Sequence, residues 1–263
     1  MEFPFERQIS LIALISDIHA NIEALTVVLE DIQNHKVDKI YCLGDVIGYG
    51  PNPRECIELV QKCSEFTLCG NHEEAVLFNA QDFNPKARRA IDWTREQLNS
   101  DTYDKEKNYQ LWDFLGDLRK RVREDSILYV HASPRQPTRE YVLPKDVKDP
   151  AKLDSIFKEF EDSEICFVGH THIPGVFTQD LQFFYSKTLE NRYEFKSHPG
   201  KKLVNIGSVG QPRDGDNRAC YVLFDGETVE WRRIEYDIQS TMIKIRAIED
   251  LADYLAVRLE EGR

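Results

Sequence analysis

Five of the seven histidines in this 263-residue chain fall where a short apolar run stops. The clearest case is Phe167-Val168-Gly169-His170-Thr171-His172, in which an apolar strand meets a glycine and then presents two imidazoles at i and i+2. Two imidazoles leaving one strand end together suit a shared metal cluster; the alternative is a pair of ordinary turn histidines. Partners elsewhere decide between the two. Asp17 and His19 follow the apolar run 10–15, and Asp45 follows 39–43. Asn71 and His72 follow 66–69, and His131 follows 126–130. Eight groups able to bind or serve a metal thus gather at strand ends, with only His35 and His198 elsewhere. Scattered core or surface histidines would not distribute in this way.

The elements that carry these groups follow a rhythm of strand, polar motif and helix, repeated three times from residue 10 to residue 72. That is βαβ logic, in which ligands sit beyond the carboxyl ends of the strands. Asn21 can cap a helix whose apolar positions Ile22, Leu25, Val28, Leu29 and Ile32 recur at helical spacing. A loop rich in glycine and proline spans 46–53. Residues about 73–118 read as helical, broken at Asn84-Pro85 and looser over 99–107, and are expected to form an insertion walling one side of a cleft. Strands are expected at 165–168, 175–178, 182–185, 192–195, 202–206, 220–224 and 228–235, several joined by hairpin turns such as Asp225-Gly226. A C-terminal helix over about 238–259 carries Met242, Ile245, Ile248, Leu251 and Leu255 on one stripe, which would support a homo-oligomer if exposed. With no repeat or low-complexity linker, residues 1–263 read as a single α/β domain of two packed sheets flanked by helices.

Composition narrows the partners. The chain is 41% hydrophobic and 30% charged and holds no run of about 18 apolar residues, so no membrane span is expected. Residues 1–8 lack the apolar centre of a signal peptide. The six cysteines form no C-x-x-C pair, and Cys42, Cys166 and Cys220 sit in or beside strand-like runs, as buried reduced thiols of a cytoplasmic protein would. A net charge of −12 disfavours a long nucleic acid but not a small anionic substrate, because a bound metal pair is locally the strongest charge. The basic clusters Arg88-Arg89 and 119–123 read as solvated faces.

In order and spacing, the blocks D-x-H, G-D, G-N-H-E, H and G-H-x-H over residues 9–235 resemble the calcineurin-like metallophosphoesterase superfamily. The stretches from Asp45 to Pro53 and from Asn205 to Arg213 look like the small bacterial and archaeal phosphodiesterases related to diadenosine tetraphosphate hydrolases. The resemblance implies a four-layer αββα sandwich of two mixed β-sheets with a dinuclear metal centre. It allots Asp17, His19 and His172 to one ion and Asn71, His131 and His170 to the other. Asp45 would bridge them, and His72 would be a general acid rather than a ligand. A carboxylate bridge suits two ions about 3.5–4 Å apart, and bridged hydroxide is a nucleophile at neutral pH. His72, next to a ligand and expected to titrate near neutrality, suits protonation of the leaving alkoxide. Glu73 either orients His72 or simply solvates a helix start, the latter preferred.

Ligands of this type and the absence of thiolates suit Mn²⁺, Fe, Zn²⁺, Co²⁺ or Ni²⁺, and the family's usual preference implies manganese. The expected activity is hydrolysis of phosphodiester or phosphoanhydride bonds in a small phosphorylated substrate, a nucleotide by preference. Diadenosine polyphosphate hydrolysis is the narrower reading. The protein serine/threonine phosphatase branch continues its G-D block with Asp-Arg; here Gly48 and Tyr49 stand there, which disfavours that activity. A non-catalytic scaffold would be expected to lose ligands, and none is lost. Arg213 is read either as a cation for substrate phosphate or as a turn stabiliser. Tyr49, Asn52 and Arg54 either touch substrate or shape their loop.

Overall fold

Apolar runs of about four residues, too short for helices, become strands. The computed structural model describes residues 10–81 and 83–263, so the reading of residues 1–8 lies outside the described residues. The chain opens with β1 (Ile12–Ile15), α1 (Ile22–His35), β2 (Lys39–Cys42), α2 (Pro53–Cys63) and β3 (Phe66–Thr67), the three strands lying parallel. Three helices follow: α3 (Asn71–Leu77), α4 (Pro85–Leu98) and α5 (Lys105–Gly116). The expected break at Asn84-Pro85 is the start of α4, where the Asn84 side chain accepts from the amides of Lys86 and Ala87.

Then come β4 (Arg121–Glu124), β5 (Ile127–Val130), α6 (Pro150–Lys158), β6 (Ile165–Val168), β7 (Gly175–Thr178) and β8 (Phe183–Tyr185). The chain continues through β9 (Arg192–Glu194), β10 (Lys202–Asn205), β11 (Ala219–Phe224) and β12 (Thr228–Ile234) to α7 (Ile238–Arg246) and α8 (Tyr254–Glu261). One mixed sheet runs β3-β2-β1-β11-β12-β9 and the other β4-β5-β6-β10-β7-β8. Strand β4 falls within the stretch read as a basic face. Arg121 and Arg123 alternate with Val122 on an edge strand, where charge discourages further pairing.

The alternation of side chains along each strand sorts the core into layers. Leu14, Tyr41, Phe167, Val204, Val222 and Trp231 fill the space between the sheets. Ala13, Ile15, Tyr221 and Leu223 face outward onto α1, α2 and the helices of the 71–116 region. On the far side, Val130, Val168 and Leu203 pack under Leu153, Ile156 and Phe157 of α6. The result is the four-layer αββα sandwich. No helix among the described residues is long and apolar enough to cross a membrane.

The expected single C-terminal helix is instead a hairpin, α7 and α8 joined through residues 247–253. One straight helix over 22 residues would extend about 33 Å and carry its second half off the body. Folding back lets Met242, Ile245, Leu251, Leu255 and Leu259 share one cluster with Ala90 and Trp93 of α4. The stripe is therefore covered by this chain itself and is not an exposed oligomer face.

Candidate metal centre

The strand ends of both sheets meet at one place. Residues after β1, β2 and β3 contribute Asp17, His19, Asp45, Asn71 and His72, while those after β5 and β6 contribute His131, His170 and His172. The ligand atoms form three overlapping buried groups: Asp17 with His19 and His172, His19 with Asp45 and His72, and Asp45 with His131 and His170. Asn71 joins the last group through Oδ1, 3.2 Å from His131 Nε2.

The loops hold these side chains in unusual backbone conformations. Asp17, His19, Asp45, His170 and His172 all have φ between 50° and 62°, and Tyr49 has φ 67°. Such left-handed non-glycine residues cost about 1–3 kcal/mol each and persist only where surrounding contacts over-determine them. Two glycines explain how the carboxylates fit. A Cβ at Gly70 would lie 2.1 Å from Asp45 Oδ1, and one at Gly169 would lie 2.3 Å from Asp17 Oδ2. The amide of His170 then donates to Asp17 Oδ2 (3.0 Å), and the amide of His72 to Asp45 Oδ1 (2.9 Å).

Backbone carbonyls fix the tautomers. His19 Nδ1 donates to Ile47 O (3.2 Å), His131 Nδ1 to Leu43 O (2.9 Å), and His172 Nδ1 to Gln211 O. A carbonyl can only accept, so each Nδ1 carries a proton, and in His19 and His172 the Nε2 offers a lone pair to the centre. His19 Nε2 and His172 Nε2 nonetheless lie 3.1 Å apart, with Asp17 Oδ1 3.1 Å from the latter. Burial pushes both of these imidazoles below their usual pKa, so neither supplies a bridging proton. Lone pairs this close need a cation between them. His170 Nε2 is buried without a partner, which fits the same requirement.

The other side of the centre differs. His131 Nε2 faces Asp45 Oδ2 at 3.3 Å, and although burial alone would lower its pKa, the Asp45 carboxylate raises it to about 9. Asp45 and Asp17 stay ionised below the ordinary carboxylate range, because facing imidazoles outweigh the burial penalty. All seven expected ligands are thus gathered at one donor set of imidazole, carboxylate and amide, which fits two divalent ions.

His72 stands beside them against His19, Tyr49 and Phe83, with ring centroids 4.7, 4.3 and 5.0 Å away. The expectation that it titrates near neutrality is corrected: burial among these rings lowers its pKa to about 4, so the ring is neutral at pH 7. Glu73 does not orient His72. Its fully buried carboxylate accepts from the amides of Gly70, Asp45 and Val46 at 2.8 Å and of Ile47 at 3.2 Å. It caps α3 and ties down the loop that carries Asp45. The sequence signal for this was present in the G-N-H-E block, but its loop partner lies 28 residues away.

Asn205, Ser208 and Gln211 were not singled out individually. Asn205 Nδ2 donates to Gly169 O (2.6 Å), Ser208 Oγ donates to Asp17 O (2.8 Å), and Gln211 O receives the His172 proton. Of the loop residues left open, Arg54 is buried and donates to Gln97 O and Leu98 O at the end of α4, so it shapes the fold. Asn52 pairs with Glu55. Tyr49 instead packs on His19 and His72 and lines a cleft of about 310 Å³ with Asn71, Phe83, Arg139, Tyr141 and His170. Arg213 acts electrostatically on His19, His72 and His172, and it hydrogen-bonds Tyr141.

Residues 11–228 match the family described as the calcineurin-like phosphoesterase superfamily domain. A Methanocaldococcus jannaschii protein described as uncharacterized is 37% identical over 260 residues, 97% of this chain and 99% of that one. The crystal structure of a metallophosphoesterase from Sphaerobacter thermophilus is 35% identical with a TM-score of 0.79, covering 97% of this chain and 99% of its own. A hypothetical protein from Pyrococcus horikoshii shares the fold at 21% identity and a TM-score of 0.75, with the same coverage of 97% and 99%.

Proposed function

This chain belongs to the calcineurin-like phosphoesterase superfamily, and from that premise we propose that it hydrolyses phosphodiester or phosphoanhydride bonds of a small, nucleotide-like substrate with two divalent ions, manganese by preference. The observation that carries the metal requirement is the 3.1 Å approach of His19 Nε2 to His172 Nε2, both rings having their protons committed on the other nitrogen. Asp17, His19 and His172 would hold one ion, Asn71, His131 and His170 the other, and Asp45 both. When bound, such ions supply an activated water and neutralise phosphate oxygens.

The chain's own residues do the rest. The cleft beside Asn71 and His170 receives the substrate, with Tyr49 in its lining and the charge of Arg213 acting on Tyr49. His72 is the general acid of this proposal. Its buried, neutral ring accepts a proton only when an anionic phosphoryl group lies against it, which couples protonation to substrate binding. Purified protein with Mn²⁺ is expected to release p-nitrophenol from bis-p-nitrophenyl phosphate. No release with any of the five metals would remove this reading.

Diadenosine polyphosphate hydrolysis is the narrower form. It draws support from the nearness of the two sequence stretches that resemble that branch, since the charge of Arg213 acts on Tyr49. Chromatography of products from diadenosine tetraphosphate tests it, and no turnover at micromolar substrate counts against it. A cytoplasmic location is part of the same proposal, supported by six cysteines that are all free thiols, five of them buried.

A further inference from the structure

The cleft that opens from the candidate metal centre begins at Asn71 and His170 and extends over three aromatic rings, Tyr49, Phe83 and Tyr141. Each ring is seated on a histidine of the site. Tyr49 and Phe83 pack on His72, with centroids 4.3 and 5.0 Å away, and Tyr141 packs on His170 at 4.0 Å. Tyr141 is nonetheless 48% exposed, so much of its ring is left for another group to cover. A lone exposed ring is ordinary, but three rings lining one cleft make a stacking surface.

The helical wall makes the room. Ala75 on α3 and Ala87 on α4 line the cleft with side chains of one carbon, and the connection between those helices adds the amides of Asn79 and Asn84. Asn84 Oδ1 is taken by the amides of Lys86 and Ala87, which leaves its Nδ2 as a donor. The facing wall is tied to this one. Glu74 on α3 accepts from Thr138 Oγ1 (3.0 Å) and Arg139 Nε (2.7 Å), in the loop that carries Tyr141, and from Lys120 Nζ (2.6 Å). The cleft is thus formed in advance, which spares a ligand the cost of ordering it. At about 310 Å³ it stands at the lower end of the roughly 300–1,000 Å³ usual for small-molecule sites, room for one ring-bearing group. Its lining charges, Glu74 and Arg139, pair with each other. What remains to meet a ligand is aromatic and amide surface, which suits a nucleobase, stacked on its face and hydrogen-bonded at its edge, better than a further phosphate.

We propose that this cleft seats a nucleobase and that the nucleoside it holds is the leaving group. Tyr49 and Phe83 pack on His72, the acid of the reading above, so a group lying along them is on the side where the leaving oxygen receives its proton. For a diester, the bond from phosphorus to the nucleoside oxygen breaks, that oxygen takes a proton and departs as the alcohol, and the oxygen of the attacking water stays on phosphorus. Phe83, Asn79 and Asn84 are then specificity-determining residues. This rests on the phosphoesterase reading and names the part of the substrate that the cleft selects.

The test is calorimetric titration of the full chain, loaded with Mn²⁺ and freed of excess metal, with three phosphonates that cannot be hydrolysed: the 5′-methylenephosphonate analogue of adenosine monophosphate, benzylphosphonate and methylphosphonate. The adenosine analogue is expected to bind about tenfold or more tighter than methylphosphonate, the size of one base–aromatic stack. Phe83→Leu, which keeps apolar cover over His72 but loses the flat ring, should cut that advantage about fivefold and leave methylphosphonate within about twofold; Phe83→Tyr should restore it. Asn79→Ala, at an exposed position, should narrow the advantage of adenosine over benzyl about threefold, and it serves if the leucine variant does not fold. Equal binding of the adenosine and methyl probes, or of the adenosine and benzyl probes, would overturn the nucleobase seat. So would equal weakening of all three in Phe83→Leu at unchanged metal content, which would mark a merely structural role. The methyl ester of adenosine 5′-monophosphate should yield adenosine and methyl phosphate; adenosine monophosphate and methanol would overturn the leaving-group assignment. The binding arm needs no turnover, so its failure is separable from failure to hydrolyse bis-p-nitrophenyl phosphate.

Discussion

The two halves of the candidate metal centre are closed to different degrees. Around Asp17, His19 and His172, the rings are held by Ile47 O and Gln211 O, and the space behind them, toward Gly210 and Leu255, is only about 10 Å³. Around Asn71, His131 and His170, one ring is held by Leu43 O, but Asn71 and His170 open onto the cleft of about 310 Å³. Tyr141 covers His170 from that side, with ring centroids 4.0 Å apart. The first half is built to hold, and the second half to hold and to face a substrate. The difference also shows in charge, since His19 and His172 are neutral while Asp45 draws His131 up to about 9.

Asp45 is the residue common to both halves, so Asp45→Asn should cause the largest effect. An activity loss of about 10²–10³-fold is expected, the range for removing a principal electrostatic stabiliser. Full activity in that variant would break the shared-bridge picture. Glu73→Gln comes next. It leaves the shape but weakens three amide contacts on the Asp45 loop and one at the start of α3, so metal affinity or activity should fall by about 10–100-fold, as for other supports of metal ligands.

The comparison sharpens in metal content. His172→Ala should lose the ion of the enclosed half and His170→Ala the ion of the cleft half, each variant retaining about one ion by elemental analysis. Two ions retained in both variants would show that the halves are not separate sites. The smallest expected signal is a proton. In the metal-free fold His131 is charged at pH 7, so loading the cleft half should release about one proton, while the enclosed half releases none. Calorimetry in buffers of different ionisation enthalpy measures this. Because the folded value lies above the ordinary one of about 6.5, the charge favours the metal-free fold fully below that pH. That contribution is lost as pH rises through about 9, so the metal-free protein should lose stability across this window.

Much of this site was legible because its signals are local. A strand that ends in glycine and histidine, or in aspartate, announces both its element and its ligand within six residues, as at Val168-Gly169-His170. The β-strand ends, the capped helix after Asn21 and the residues that gather as candidate ligands were readable on that basis. The C-terminal hairpin was not, because a continuous apolar stripe is equally compatible with one helix or two. Burial against Trp93 and Ala90 on α4 favours the fold back. The low pKa of His72 is hidden for a similar reason: burial depresses it, and the rings packed on it, Tyr49 and Phe83, lie 23 and 11 residues away in sequence.

The sequence by itself determined which residue types could bind metal and that they would stand at strand ends, since alternation and turn chemistry act over a few residues. Tertiary structure alone decided that His19 and His172, 153 residues apart, bring lone pairs to 3.1 Å. It also decided that five candidate ligands sit at positive φ, that Glu73 holds the Asp45 loop, and that the loop carrying Arg213 lies beside a helix from the chain's far end. These are long-range contacts, and their geometry follows from how two sheets pack, which no short stretch encodes.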